Sequence, residues 1–382
     1  MERQITLGDV IAPAKVLRCD NDDYPVLSMT MHDGIVLQSN RFKKSLVSID
    51  QSNYKVVLRG QLVVGFPIDE GVIYVQNIAE AGIMSPAYGV WNIHSKEILP
   101  EYLELCLHSP QSMDYYKNKL RGTTARRRSI TTGDLLALPI ILPSLTEQKR
   151  RIGLFRQTTL LLNSQKQTML KFDELVKSRF VEMFGDPVSN PHGFERVALS
   201  QLAEIKIGPF GSLLHKEDYI EGGHPLLNPS HISEGRIVPD DKLTVSDSKY
   251  AEMEAYHLHI GDIVMGRRGE MGRCAVVPDE GYLCGTGSLL IRTKGEVTSD
   301  YLQKVISFPT FKKTIEDMAV GQTMPNLNVP IVSSFQIIKP PIDVQRRYYA
   351  FVAEVDKSKL AVKQSLEELE TLKKSLMQQY FG

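Results

Sequence analysis

Three groups of residues have types and spacings that suit catalysis or ligation. Asp186 with Glu204 and Lys206 gives a carboxylate followed by Glu-x-Lys, the donor set of a metal-dependent nuclease. His224, His231, His257 and His259 supply imidazoles that ligate a metal when they converge. Cys19, Cys106, Cys274 and Cys284 supply four thiols. None of the three forms a specific pattern. The nuclease spacing is permissive enough to arise by chance. The alternation His257-Leu258-His259 puts two rings on the polar face of a strand. No C-x-x-C pair is present, so no zinc site is expected, and four cysteines in 382 residues make no disulfide framework. They read as reduced thiols of a cytoplasmic protein. There is no G-x-x-x-x-G-K-[ST] phosphate loop and no G-x-S-x-G nucleophile elbow, and GTGSLL at Gly285 is too short for a dinucleotide fingerprint. Asn190-Pro191-His192 and Asn228-Pro229-Ser230 lack the Asn-Pro-Pro-aromatic signature of adenine methyltransferases. The expectation is a chain with no metal site and no catalytic residue of its own; a stand-alone metal-dependent nuclease is the enzyme alternative.

Binding signals are stronger. Residues 117–128, KNKLRGTTARRR, hold Lys117, Lys119, Arg121, Arg126, Arg127 and Arg128 with no acid among them. Thr123 and Thr124 add hydroxyls beside Gly122. Such a strip suits phosphates, with side chains and backbone N–H groups donating; otherwise it is a solvated helix end. A second strip, MGRRGEMGR, sets Arg267, Arg268 and Arg273 among glycines. There an arginine forks to a guanine edge or a phosphate, or else keeps a hairpin tip soluble. A third segment, KIGPFGSLLHK at 206–216, has a Gly-Pro-aromatic-Gly turn that lets backbone approach a groove, or is simply a tight turn. The matching loop in the first half, KVLRCDNDDYP, is acidic.

The elements that must position these strips come from length, charge and pattern. A chain of 382 residues suggests two or three domains. Lys+Arg and Asp+Glu are both 45, which excludes a uniformly basic nucleic-acid coat but not a binder with clustered charge. The N-terminus lacks the basic-then-apolar pattern of a signal peptide. The most apolar stretch, Leu135 to Leu145, is too short to span a bilayer and contains Pro139 and Pro143, so no membrane partner is expected.

The chain also resembles itself. LPSLTEQKRRIGLF near Leu142 matches KPPIDVQRRYYAFV near Lys339, with Pro143, Gln148 and Arg150 repeated as Pro340, Gln345 and Arg347 at a shift of 197. LVKSRFVEMFG ends the first segment and LKKSLMQQYFG the second, again at a shift of 197. Between them ITLGDV matches VALSQL, YPVLSM matches HPLLNP, Gly60 and Gly65 match Gly261 and Gly266, and YLELCLHSP matches YLQKVISFP. The order is kept and the shifts lie between 192 and 201. Each half therefore reads as an α+β domain of short strands, Gly turns and Pro-interrupted helices, followed by a long helix. In the first helix Ile152, Phe155, Leu162, Met169, Val176 and Phe180 fall on a three-four alternation interrupted by Thr159, Lys166 and Asp173; in the second Val352, Val355, Val362, Leu366, Leu369 and Leu376 do the same, with Lys359 and Lys373 as exceptions. Seams of this period over about five heptads predict a coiled coil. Each stripe is narrow and needs a partner, which the other helix provides. At about 1.5 Å per residue, roughly 38 residues span about 57 Å. Residues 145–180 carry eight basic and three acidic side chains, and residues 341–381 carry seven and six, so charge favours the pairing. Arg150, Arg151, Arg346 and Arg347 are expected on the outside.

These features resemble the specificity subunit of type I restriction–modification enzymes. The marks are the duplicated Phe-Gly helix ending (FVEMFGDP, MQQYFG), the P-x-x-x-x-Q opening of each helix, and GQTMPNL before the second helix, where the first half has RGTTARRRSI. The resemblance covers essentially the whole chain. It implies target-recognition domains at 1–143 and 187–339, joined by conserved helices at 144–186 and 340–382 that pack antiparallel. It implies that each domain reads one half of a split, asymmetric double-stranded DNA site. It further implies that the helices dock two methyltransferase subunits, and that motor-nuclease restriction subunits join for cleavage. S-adenosylmethionine, ATP and Mg²⁺ would bind those partners and not this chain. A coiled-coil adaptor without a DNA role is the non-enzymatic alternative.

Overall fold

The computed structural model describes residues 2–15, 17–19, 24–31, 33–41, 52–121, 128–210, 213–319 and 326–382. The chain forms two units. Unit 1 is Met1–Thr168 with Val362–Gly382, and unit 2 is Met169–Ala361.

In unit 1 the first strand, Arg3–Thr6, pairs antiparallel with Pro139–Leu142. A four-stranded antiparallel sheet has the order Ile11–Pro13, Gly89–Ile93, Leu62–Val64, Ile73–Val75. Two helices follow, Pro100–Leu107 and Pro110–Lys119. Pro110 does not break a helix; it starts one, at a position where the missing N–H costs nothing, and Ser109 caps it through Ser112 N. Leu7, Leu62, Ile73, Trp91, Tyr102, Leu107 and Tyr116 form the core beneath the sheet.

Unit 2 repeats this plan. Glu195–Ala198 pairs antiparallel with Gln336–Lys339. Its four-stranded sheet runs Ala203–Ile207, Ser288–Thr293, Ile263–Gly266, Cys274–Val276, so corresponding strands lie in the same order and direction. Ser299–Ile306 and Pro309–Met318 are the matching helices, the second again begun by proline. Unit 2 also has a five-stranded sheet in which His224–Leu227 runs parallel to Tyr282–Cys284. Unit 1 keeps that pairing as a single parallel bridge, Val26 to Ile83.

The two long helices are Leu145–Phe184 and Ile342–Phe381, 40 residues each. Each unit holds the near half of one and the far half of the other. In unit 1 the Phe155 ring lies 5.9 Å from Phe381, and the Arg151 guanidinium lies 4.7 Å over Tyr380. In unit 2 Phe180 lies 5.5 Å from Tyr348, and Lys359 Nζ is 2.7 Å from Asp173. Numbers rise along one helix as they fall along the other, so within each unit the pair is antiparallel. All twelve predicted seam residues are shielded. Phe155, Leu162, Phe180 and Val355 are buried; Ile152, Met169, Val176, Val352, Val362, Leu366, Leu369 and Leu376 are half-buried.

The repeated Gln explains how each helix is joined to its domain. Gln148 is fully buried: its Oε1 accepts from Leu99 N at 2.8 Å, and its Nε2 donates to the Glu97 and Pro143 carbonyls. Gln345 does the same with Thr298 N, Glu296 O and Pro340 O. The repeated Phe-Gly ending has a second cause. Phe184 and Phe381 enter the two cores, and Gly185 takes the left-handed φ of 71° that lets its N–H close on Val181 O.

Two expectations about charge need correction. Arg151 is not on the outside; its side chain is 5% exposed, paired with Glu2 and Glu147. Arg150 is exposed, but it bonds Glu147 and the Tyr380 hydroxyl. Most ion pairs of the long helices lie along one helix, such as Arg179–Glu182 and Lys357–Glu354, so charge contributes less to pairing than the seam does.

Candidate nucleic-acid interface

The basic strip of unit 1 begins on the last turn of Pro110–Lys119. Lys117 and Lys119 are exposed there, 3.6 Å from Asp114 and 3.8 Å from Asp134. Arg121 exchanges both backbone hydrogen bonds with Ser129, which brings the two ends of the strip together and leaves the Arg121 residue exposed. Thr123, Thr124, Arg126 and Arg127 lie outside the described residues. Arg128 is turned inward. Its guanidinium reaches Asp69 at 2.5 Å and also pairs with Glu70, and its carbonyl accepts from Ile68 N. It fastens the Ile68–Glu70 turn, which takes it out of the candidate phosphate contacts.

In unit 2 the second strip splits into three roles. Arg273 donates to Glu270 at 2.8 Å and to the Pro229 carbonyl at 3.2 Å. Glu270 also holds Lys312, and hydrogen bonds from Lys312 and Arg273 bring its carboxyl down to about 2. Arg267 is half-buried and donates to Asn326 Oδ1 at 3.2 Å. Burial lowers its pKa, and the neighbouring Arg268 charge adds to this. Arg268 itself is exposed, with its backbone bridged to Asn326. Of the three, Arg268 is the cation presented to solvent for an anionic ligand. The remaining exposed candidates are Lys117, Lys119 and Arg121.

The residues considered for catalysis are occupied elsewhere. Asp186 accepts from Val188 N and Ser189 N. Burial pushes its carboxyl up, but bonds from Ser189, Thr310 and Val188 outweigh this and hold it below the usual range. Glu204 and Lys206 pair with each other at 3.2 Å. His224 and His257 sandwich Tyr250 with ring centroids 3.8 Å away on each side. His259 pairs with Glu280, and His231 accepts from Asn228 N. Among the described residues no group of His, Cys, Asp or Glu converges to hold a metal ion. All four cysteines are buried and unbridged, and burial pushes the thiols of Cys106, Cys274 and Cys284 up to about 12, far from the thiolate a nucleophile needs.

Residues 191–371 match the family model described as the type I restriction modification DNA specificity domain. That match spans unit 2 from residue 191 onward and most of the second long helix. Residues 191–371 thus carry a type I restriction modification DNA specificity domain. Its part in a restriction–modification system is DNA recognition, without catalysis of its own. Solved structures of similar fold extend over the full length of the chain. One is a chain from work on complex assembly and conformational transition of the type I R-M system, at 18% identity and a TM-score of 0.66, covering 100% of this chain and 97% of that one. The HsdS subunit from Thermoanaerobacter tengcongensis gives 18% identity and 0.51 over 100% and 97%. The type I S subunit from M. genitalium gives 14% and 0.52 over 100% and 96%. At these identities the likeness speaks for the fold.

Sequence reasoning missed the inward turn of Arg128, Arg151 and Arg273. It also missed Gln148 and Gln345 as the fastenings of the helices, although their repetition marked them.

Proposed function

We propose that this subunit reads a split, asymmetric double-stranded DNA site, one half with each unit. The observation that carries this reading is duplication with divergence. Two units share strand order, helix pairs and helix fastenings, yet they present different exposed chemistry. Unit 1 offers Lys117, Lys119 and Arg121 around a closed loop; unit 2 offers Arg268 beside a glycine-rich turn. Phosphate contacts of this kind fix position, and different loops then read different bases.

Two methyltransferase subunits and motor-nuclease subunits are the proposed partners. Support comes from large apolar residues of the long helices that stand in water. Leu160, Leu161 and Leu170 are 63%, 53% and 56% exposed, and Leu360 is 58% exposed. Exposed leucines on helices that are otherwise polar on their outer faces suit a protein partner. S-adenosylmethionine, ATP and Mg²⁺ are assigned to those partners, and the assembly to the cytoplasm. No helix among the described residues is long and apolar enough to cross a membrane.

Methylome sequencing of cells that carry the chain with its methyltransferase tests the reading. The expected result is one motif in two parts with an unread gap. Exchange of residues 1–143 for those of another specificity subunit changes one part and keeps the other. A continuous motif, or a change in both parts, refutes it.

A further inference from the structure

We infer that each unit reads its half-site partly by an apolar contact with the bases, made by Phe210 in unit 2 and Leu17 in unit 1. The inference rests on the DNA-reading function and names the residues that give it sequence preference. In unit 2 the strand Ala203–Ile207 leaves its sheet at Gly208, whose N–H bonds Ser288 O at 3.0 Å. The exit is rigid. A Cβ on Gly208 would stand 2.0 Å from the Gly285 carbonyl oxygen, and Pro209, the next residue, is buried. Phe210 follows with 61% of its surface exposed, its carbonyl accepting from Leu213 N. Arg267 N bonds Gly287 O, so the loop that carries exposed Arg268 is anchored on the same Gly285–Ser288 turn. The backbone before Phe210 and the backbone before Arg268 are thus both tied to one segment, Gly285–Ser288.

A single exposed apolar residue on a surface is ordinary. The repetition is not. In unit 1 the equivalent strand, Ile11–Pro13, leaves its sheet at Ala14, whose N–H bonds Val90 O at 3.0 Å. Three residues on, Leu17 is 64% exposed, while its carbonyl accepts from Val56 N. Arg18 stands beside it and is exposed. Both units therefore hold a large apolar side chain in water, on a fixed backbone, at the same strand exit. Phosphates offer nothing to such a side chain. Bases do: the thymine methyl in the major groove, or the face of a base step that an apolar wedge opens. Phe against Leu also accords with two unlike half-sites.

The test uses the full assembly with its methyltransferase and the motif that methylome sequencing gives. Phe210→Ala is expected to lower the preference for the cognate over a scrambled unit 2 half-site about tenfold or more, the scale of one lost base contact. The salt dependence of binding stays as in the parent, because no phosphate contact is lost. Phe210→Leu recovers most of the preference. Leu17→Ala does the same to the other half-site alone. Thymine-to-uracil replacement separates the two sources: a methyl contact is lost at one position, whereas a wedge is indifferent to it and brightens 2-aminopurine at the opened step. Unchanged preference in Phe210→Ala, an equal loss on all DNAs, or a loss traced to weaker methyltransferase assembly overturns the assignment. If the parent assembly methylates no motif, the DNA-reading function fails first, and this inference fails with it.

Discussion

The two units solve one packing problem with different residues. In unit 2 Tyr348 is 1% exposed and sits 5.5 and 5.4 Å from Phe180 and Phe184, its hydroxyl donating to the Val176 carbonyl. The repeat puts Arg151 at that place in unit 1. There the guanidinium lies over Tyr380 and Phe381, donates to the Tyr380 carbonyl and pairs with Glu2 and Glu147. A ring has been exchanged for a cation and its acids. Nearby, Leu105 and Leu162 of unit 1 line an open cleft of 1320 Å³. Their counterparts in unit 2 are Lys304 and Lys359. Against these changes stand Gln148 and Gln345, or Tyr102 and Tyr301, whose hydroxyls donate to Ile141 O and Ile338 O at 3.0 Å in both units. The residues that join each long helix and strand pair to its domain, Gln148 with Gln345 and Tyr102 with Tyr301, have been kept, while the packing around the helix ends has drifted. Volume can be repacked, whereas an unmet hydrogen bond has no substitute.

The largest expected effect tests whether the aromatic cluster of unit 2 and the cation-centred cluster of unit 1 are equally costly to open. Phe180 is fully buried against Phe184, Tyr301, Phe308 and Tyr348. Phe180→Ala should destabilise unit 2 by about 3–5 kcal/mol, the usual cost of a large core cavity. Its counterpart in unit 1, Met377, is only half-buried. Met377→Ala should therefore cost less than half as much. Urea unfolding followed by hydrogen exchange resolves the two units, and equal losses would break the comparison.

The helix fastenings should behave alike instead. Gln148→Ala leaves Leu99 N and the Pro143 and Glu97 carbonyls without their partner; Gln345→Ala does so to Thr298 N, Pro340 O and Glu296 O. Each substitution should cost roughly 1–3 kcal/mol and raise hydrogen exchange at Leu99 or Thr298 specifically. A difference of more than about 1 kcal/mol between them would mean that the units are not equivalent even where their sequences agree.

These contrasts explain what was legible in the chain. The P-x-x-x-x-Q and Phe-Gly repeats were readable because each residue serves a backbone group or core site at fixed distance along the chain. The seam has its period in the sequence, and its twelve positions are buried or half-buried in the fold. The fate of Arg128 was not readable. Its partners, Asp69 and Glu70, lie 59 and 58 positions away, and only the folded chain brings them together. Arg273 is bound by Glu270, only three residues away, but the strip looked basic because three arginines outnumber that one acid. The five-stranded sheet of unit 2 escaped notice because three of its strands are two residues long, too short to show alternation.

A smaller effect sharpens the contrast at the cleft. Burial lowers the pKa of Lys304; the charges of Lys177 and Lys359 lower it further, and Asp173 opposes them. The folded state thus binds its proton less tightly than the unfolded chain. The sign follows: stability carries a penalty at neutral pH and rises with pH toward the ordinary lysine value of 10.5, where the unfolded chain also gives up the proton. Lys304→Leu, which copies Leu105 of unit 1, should stabilise unit 2 by about 1 kcal/mol at pH 7, the scale for replacing a partly buried polar group by packing. It should also flatten the alkaline rise. Thermal unfolding between pH 7 and 10 measures both, and a loss of stability would show that the lysine is needed there.

The smallest effect separates an arginine that is free from one that is spent. Arg268 is exposed, whereas Arg128 is tied to Asp69 and Glu70. In the assembled complex, Arg268→Ala should reduce the slope of log affinity against log salt by about one, the release expected of one phosphate contact. Arg128→Ala should leave that slope alone, because its charge is already balanced inside unit 1. What it should change is the turn Ile68–Glu70, seen as faster hydrogen exchange there, since Asp69 loses its cation. Affinity measured from low to moderate salt for both variants decides the matter. Equal slopes in parent and Arg268→Ala would remove the glycine-rich rim from the phosphate contacts, and a lowered slope in Arg128→Ala would mean that DNA competes with Asp69 and Glu70 for the same guanidinium.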